Sequence, residues 1–198
     1  MERFISKRNQ VFLREDGLVV KRFSRSGSAA VEAGLIRKYH RLGVSVPRVL
    51  DQSENEIVME YIQGETIPDF LERMDTEPDN ALMDEAAQGL CQWFKRFYEA
   101  VSYTASGEIR GDVNGRNFII AKDRVASVDF EERMFGAAEQ DIGRLLAFVQ
   151  TYDHIRMSIK NRFVYLLEHG FIEQLNLSEQ EIRKQYQEEL IAIRMRRS

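Results

Sequence analysis

The segment Arg110-Gly111-Asp112-Val113-Asn114-Gly115-Arg116-Asn117 precedes a short apolar run that turns at Lys122-Asp123 and returns to Asp129-Phe130-Glu131. Three polar side chains, Asp112, Asn117 and Asp129, therefore stand at the ends of short elements, where loops can gather them into one cleft. Asp112 and Asn117 are five positions apart on one loop, and a hairpin must bring Asp129 back beside them. Phosphoryl transfer needs such a set. It uses a carboxylate to orient an attacking hydroxyl and accept its proton, and hard oxygen ligands for magnesium. Each piece alone is weak, because Asp, Asn and Gly are ordinary turn residues. The weight lies in the joint pattern of loop, apolar hairpin and Val128-Asp129-Phe130-Glu131. Arg110-Gly111-Asp112 also spells an adhesion tripeptide, a reading that the N-terminus does not favour. Met1 to Lys7 shows neither an uninterrupted apolar core nor a small-residue cleavage site.

The elements that must position these residues follow from local patterning. Val11-Phe12-Leu13, a turn at Glu15-Asp16-Gly17, and Leu18 to Phe23 predict two antiparallel strands. A helix is predicted over about 28–42, with Val31, Leu35 and Tyr39 as its apolar stripe and Gly43 as a left-handed stop. Val49–Gln52 and Glu56–Ile62 predict a second strand pair, and Gln63 to Thr66 a crossing between two lobes. An amphipathic helix is expected over about 80–103, with Leu82, Ala86, Leu90, Trp93, Phe97 and Val101 on one stripe. Asp75 to Asp79 reads as a solvated acidic loop before it. Past the hairpin, helices are expected over 138–152, 155–169 and 178–196. Strands, a helix, strands, a long helix, a hairpin and more helices make an α+β order, not a doubly wound alternation.

Composition narrows the classes further. The 198 residues are 43% hydrophobic and 30% charged with a net charge of −4, which gives no global argument for a nucleic-acid or membrane partner. No stretch reaches the ~20 apolar residues of a membrane helix. His40, His154 and His169 are widely spaced and have no cysteine beside them, so no zinc site is expected. The single cysteine, Cys91, lies among Leu90, Trp93 and Phe94 and reads as a buried, inert thiol in a reducing, cytoplasmic compartment.

With these residues in view, Gly111-Asp112-Val113-Asn114-Gly115-Arg116-Asn117-Phe118-Ile119-Ile120 followed by Ser127-Val128-Asp129-Phe130-Glu131 resembles the catalytic and metal-binding segments of protein-kinase-like enzymes. It is most similar in flavour to the aminoglycoside and choline kinases, with the RIO kinases and the small kinase of the KEOPS tRNA-modification complex nearby. The resemblance runs over roughly residues 11 to 150. It implies a two-lobed protein-kinase-like fold: an antiparallel-sheet lobe with one helix over 1–62, and a mainly helical lobe over 63–198. It implies ATP and Mg2+ as cofactors, Asp112 as catalytic base, and Asn117 and Asp129 as magnesium ligands. By the same resemblance Lys21 would hold the α- and β-phosphates and Glu32 would pair with it. The backbone of Glu60 and Ile62 would meet adenine, and Asp141 would brace the catalytic loop. Seen alone, Lys21 is an exposed strand lysine, Glu32 a helix glutamate, and Glu56–Ile62 a core strand.

Three departures qualify the likeness. Arg110 stands where these families usually carry histidine, so packing beneath the loop must differ. The turn at Lys7-Arg8-Asn9-Gln10 has no glycine to cradle phosphate. The chain beyond Asp129 is short beside the acceptor-binding extensions of aminoglycoside and choline kinases, which favours the compact RIO-like and KEOPS-like enzymes. The leading expectation is an ATP- and Mg-dependent phosphotransferase with a hydroxyl acceptor, protein or small molecule. The alternative is a pseudokinase, a nucleotide-binding or regulatory scaffold. A third reading, an unrelated α+β interaction domain, requires Asp112, Asn117 and Asp129 to face different surfaces. Arg194, Arg196 and Arg197 read first as a helix end complementing the dipole, and second as a phosphate contact for nucleic acid.

Overall fold

The computed structural model describes residues 2–4, 9–101, 107–131 and 133–197. The chain begins with β1 (Glu2–Phe4), β2 (Gln10–Leu13) and β3 (Leu18–Arg22), followed by α1 (Ser28–Arg41), β4 (Val49–Gln52) and β5 (Glu56–Glu60). These strands form one antiparallel sheet in the order β1-β2-β3-β5-β4. The β2–β3 turn closes with Gly17 N–H on the Arg14 carbonyl at 3.1 Å. The phosphate-loop candidate at Lys7-Arg8 lies outside the described residues.

Helix α1 covers the sheet, and Gly43 follows it with φ of 78°, the left-handed stop the sequence predicts. Its buried face differs from the predicted stripe. Ala29, Glu32, Ala33, Leu35, Ile36 and Tyr39 are buried, whereas Val31 is 52% exposed. A glutamate occupies a core position here, so counting only apolar side chains misplaces the face. A polar residue in such a position is what a functional site imposes on an otherwise consistent pattern.

Next come β6 (Gly64–Thr66), α2 (Ile67–Thr76) and α3 (Asn80–Ala100). Helix α2 was not anticipated, although its signals are present. The Thr66 hydroxyl accepts from Asp69 N–H, and the Asp69 carboxylate accepts from Thr66 N–H, a reciprocal cap with Pro68 in the first turn. The supposed acidic loop is accordingly shorter. Asp75 ends α2 and takes the Arg156 N–H at 3.0 Å and its Nε at 2.7 Å, while Asp79 caps α3 through Leu82 N–H at 3.1 Å. In α3 the buried face is broader than one stripe. Met83, Cys91, Phe94 and Tyr98 join Ala86, Leu90, Trp93 and Phe97, and Leu82 is turned outward. The helix predicted to reach 103 is described only as far as Val101.

Then follow β7 (Glu108–Ile109), a 3-10 turn (Gly115–Asn117), β8 (Phe118–Ala121), β9 (Val125–Ser127), β10 (Met134–Phe135), α4 (Ala138–Thr151), α5 (Met157–Leu175) and α6 (Glu179–Arg197). The hairpin β8–β9 pairs with β6 in a small sheet, and β10 pairs with β7. Helix α5 runs six residues past its predicted end because Gly170 is not a stop. A Cβ there would lie 2.7 Å from Cys91 Sγ, so this glycine lets α5 lie close against α3. Cys91 itself is fully buried, and burial pushes its thiol up to about 12. Trp93, Phe94, Phe97 and Phe118 form an aromatic core directly beneath the loop that carries Asp112, with ring centroids 5.2 to 5.4 Å apart. Among the described residues no helix is long and apolar enough to cross a membrane.

Candidate active site

The loop from Arg110 to Asn117 is fastened from below. Asp141, fully buried in the first turn of α4, accepts Arg110 N–H at 2.7 Å, Gly111 N–H at 2.8 Å and the Tyr98 hydroxyl at 2.9 Å. Gly111 has φ of 75°, and a Cβ on it would collide with the Met134 side chain, so both conformation and space require glycine there. Asp112 follows, its carboxylate exposed and accepting Asn114 N–H at 3.3 Å. Asn117 is 9% exposed and donates from Nδ2 to the Asp112 carbonyl at 3.4 Å. Its own carbonyl accepts Val128 N–H at 2.9 Å, which sets it beside Asp129 at the end of the hairpin.

Arg110 takes the place of the usual histidine and answers the packing question. Only 3% exposed, it lies 4.2 Å over the Phe130 ring. Its guanidinium donates to the carbonyls of Val128 at 2.7 Å and Asp129 at 2.8 Å, and to Ser127 Oγ at 3.2 Å. Burial works against its charge, and Asp112, Asp129 and Asp141 oppose that effect. Asp129 needs this hold because its φ is 67°, a left-handed conformation that costs a non-glycine residue roughly 1 kcal/mol or more.

Alternation along β3 turns Lys21 inward, under the sheet. Its Nζ donates to Glu32 Oε2 at 2.6 Å and to Asp129 Oδ1, and lies 3.8 Å from Glu131 Oε1. Lys21 and Glu32 are buried, with side chains 5% and 1% exposed, while Asp129 and Glu131 open towards solvent at 37% and 39%. Burial alone would lower the lysine, but the Glu32 and Asp129 carboxylates outweigh it and raise its pKa. Burial also raises Glu32, with Asp129 and Glu131 adding to it against Lys21. Glu32 Oε1 is buried without a hydrogen-bond partner among the described residues. One carboxylate oxygen from each of Glu32, Asp129 and Glu131 lies within 4.8 Å of the others. Three carboxylates around one ammonium leave an excess of negative charge, a donor set suited to a hard divalent cation.

Lys21, Glu32 and Asp129 thus meet in one place, and Asp112 and Asn117 lie on the adjoining loop. The Asn117 carbonyl, taken by Val128 N–H, and the Asn117 Nδ2 on the Asp112 carbonyl tie this loop to the end of the hairpin that carries Asp129. Glu60 and Ile62 stand apart from this cluster. The Glu60 carboxylate accepts Arg48 N–H at 3.1 Å and Arg124 Nη2 at 2.7 Å; burial opposes its ionisation, but these bonds hold it below the usual carboxylate range. Glu60 N–H donates to the Arg48 carbonyl at 2.9 Å, whereas Ile62 N–H has no backbone partner among the described residues. At the far end of α6, Arg196 donates to Glu189 at 2.6 Å and Arg197 to the Thr151 carbonyl at 3.1 Å, so two of the three tail arginines already serve internal bonds.

Glu131 belongs to the cluster but was given no role from sequence. The quoted Val128-Asp129-Phe130-Glu131 run contained it, and a second acidic side chain two positions after Asp129 was the available signal. Asn9 Nδ2 donates to its Oε1 at 2.9 Å, joining the start of β2 to the site. Glu108 was also missed.

The chain matches the RIO domain family over residues 11–146. The KEOPS complex subunit Bud32 of Pyrococcus abyssi (strain GE5 / Orsay) is 31% identical over 112 residues, which are 56% of this chain and 44% of that protein. A probable serine/threonine-protein kinase BUD32 homolog of Archaeoglobus fulgidus is 30% identical over 113 residues, 57% of this chain and 49% of that one. The matched part spans about half the length of these curated relatives. Among solved structures, the streptomycin-ATP-APH(2")-IIa ternary complex superposes with a TM-score of 0.66 at 16% identity, covering 95% of this chain and 81% of that one. That likeness speaks for the fold, a two-lobed protein-kinase-like α+β arrangement.

Proposed function

The chain belongs to the RIO domain family, and on that premise we propose that it is an ATP- and magnesium-dependent phosphotransferase acting on a hydroxyl of a protein or small molecule. The observation that carries this reading is the interlock of Lys21 with both Glu32 and Asp129. A buried lysine held between a helix carboxylate and a loop carboxylate is prepared to receive phosphate oxygens, and a structural core has no need of it.

In this reading the sheet-rich lobe spans 1–62 and the helical lobe 63–198, with the nucleotide between them. Lys21 steadies the α- and β-phosphates, and Glu32 keeps its ammonium in place. The Glu60 carbonyl and Ile62 N–H meet adenine, a role supported by an Ile62 amide that has no backbone partner among the described residues. Asn117 and Asp129 hold Mg2+, which when bound supplies positive charge against the transferring phosphoryl group. The acceptor oxygen bonds to the γ-phosphorus, the bond from that phosphorus to the β–γ bridging oxygen breaks, and ADP departs. Asp112, exposed at the head of its loop, takes the hydroxyl proton. Catalysis is then mainly positioning and charge stabilisation. A single buried thiol suits a reducing compartment such as the cytoplasm.

A second reading, a pseudokinase that binds nucleotide without turnover, draws on the absence of glycine from Lys7-Arg8-Asn9-Gln10. Magnesium-dependent ATP binding and hydrolysis, measured beside Asp129→Ala, separates the two. Turnover in the wild type that falls about 100-fold or more in the variant supports the enzyme. Binding without turnover supports the scaffold, and turnover unchanged in Asp129→Ala overturns the site.

A further inference from the structure

Glu108 lies two residues before Arg110, on the short strand β7, and is 5% exposed. A lone buried carboxylate is costly unless its oxygens are all engaged. Here they are. Glu108 Oε1 accepts the Tyr39 hydroxyl at 2.5 Å, and Oε2 accepts Lys38 Nζ at 2.8 Å and Arg133 Nη2 at 2.7 Å. The donors come from two places that matter to the site. Lys38 and Tyr39 occupy the last turns of α1, the helix that carries Glu32. Arg133 follows closely on Asp129-Phe130-Glu131 and precedes β10, which pairs with β7. Tyr39 also packs its ring on Phe130, with centroids 5.0 Å apart, so the same tyrosine touches both sides of the junction.

We propose that Glu108 is a positioning residue, a buried carboxylate that ties α1 to the chain following Asp129, so that the Lys21–Glu32 pair and that chain are set together. Beside it, the same end of α1 meets the helical lobe through Tyr39 packing on Phe97 and Phe130, contacts that are apolar and less directional. Two cations and a hydroxyl on one carboxylate give the junction a defined geometry that apolar packing alone does not impose. Burial opposes the charge on Glu108, but the bonds from Arg133, Lys38 and Tyr39 overcome it and hold the carboxyl down at about 2. The junction is therefore charged throughout the ordinary pH range. Its effect on the reaction rests on the phosphotransferase reading, whereas its mechanical link does not.

The test uses Arg133→Ala, since Arg133 is half exposed and its truncation leaves the core intact. Hydrogen–deuterium exchange is followed across residues 28–41, on the other side of Glu108. A link predicts that amides of the last turns of α1 exchange at least about threefold faster, although Arg133 belongs to another segment. Arg133→Lys restores much of the protection, and Glu108→Gln gives the larger effect. Exchange in α1 that is unchanged by Arg133→Ala overturns the proposal. In parallel, Mg-ATP affinity falls severalfold in Arg133→Ala if the phosphotransferase reading holds. A wild type that binds no nucleotide sinks that reading and leaves the exchange measurement to decide the link.

Discussion

Arginine at position 110 is the residue on which the loop beside Asp112 and the end of the hairpin are joined. Histidine offers two ring nitrogens; arginine brings a fork that, stacked over Phe130, reaches two successive carbonyls and a hydroxyl. The loop can thus keep Asp129 left-handed, with its carboxylate on Lys21. Arg110→Ala should cost about 3–5 kcal/mol in urea denaturation, because it leaves the Val128 and Asp129 carbonyls and the Ser127 hydroxyl without this donor and opens a void over Phe130. A loss below about 1 kcal/mol would show that the fork bears little of that strain. The sequence points to residues that the fold draws close, Lys21 with Glu32 and Asp129. Asp112, Asn117 and Asp129 follow from loop and hairpin spacing, and Lys21 and Glu32 from resemblance. Glu108 was not legible in the sequence, since its donors stand 25, 69 and 70 positions away and no local pattern joins them.

At the scale of elements, periodicity located nearly every helix and hairpin but misjudged where glycine and acidic residues act. Helix α2 begins where Gln63 to Thr66 reads as a crossing, because Thr66, the last residue of that segment, forms a reciprocal cap with Asp69. Helix α5 continues through Gly170 past the expected end at 169, and the part this glycine plays is tertiary. That interpretation can be checked with a double-mutant cycle. A Gly170→Ala change in a helix interior should gain up to ~1 kcal/mol from propensity, but its Cβ would meet Cys91 Sγ at 2.7 Å. Gly170→Ala alone is therefore expected to destabilise by about 1–3 kcal/mol. In a Cys91→Ala background, where the sulfur is gone, the same change should become neutral or stabilising. Additive effects of the two changes in chemical denaturation would mean that the α3–α5 approach does not depend on this pair.

On the scale of the whole molecule, the sheet with α1 meets the helical part through a shared apolar core, in which Tyr39 packs on Phe97 and Phe130, and through several polar ties. Lys21 reaches Asp129, Arg124 reaches Glu60, Lys38 and Tyr39 reach Glu108, and Ser127 N–H donates to the Ser45 carbonyl at 3.1 Å. The exposed Glu60–Arg124 pair adds little stability, given side chains 36% and 42% exposed. The carboxylates at the junction matter more, and one set of these, the buried Glu32 with the partly exposed Asp129 and Glu131, carries more negative charge than Lys21 neutralises. A ligand that brings a divalent cation and polyphosphate into this junction should relieve that imbalance and stabilise both halves at once. With Mg-ATP at about 100 times its dissociation constant, the gain is about 2.7 kcal/mol. At roughly 2–4 °C per kcal/mol for a chain of this size, the melting midpoint should rise by about 5–10 °C. The rise should need both components, with ATP in chelator giving much less, and Asp129→Ala should remove most of it. Equal shifts with and without magnesium would place the nucleotide away from the carboxylates and leave their excess charge without a partner.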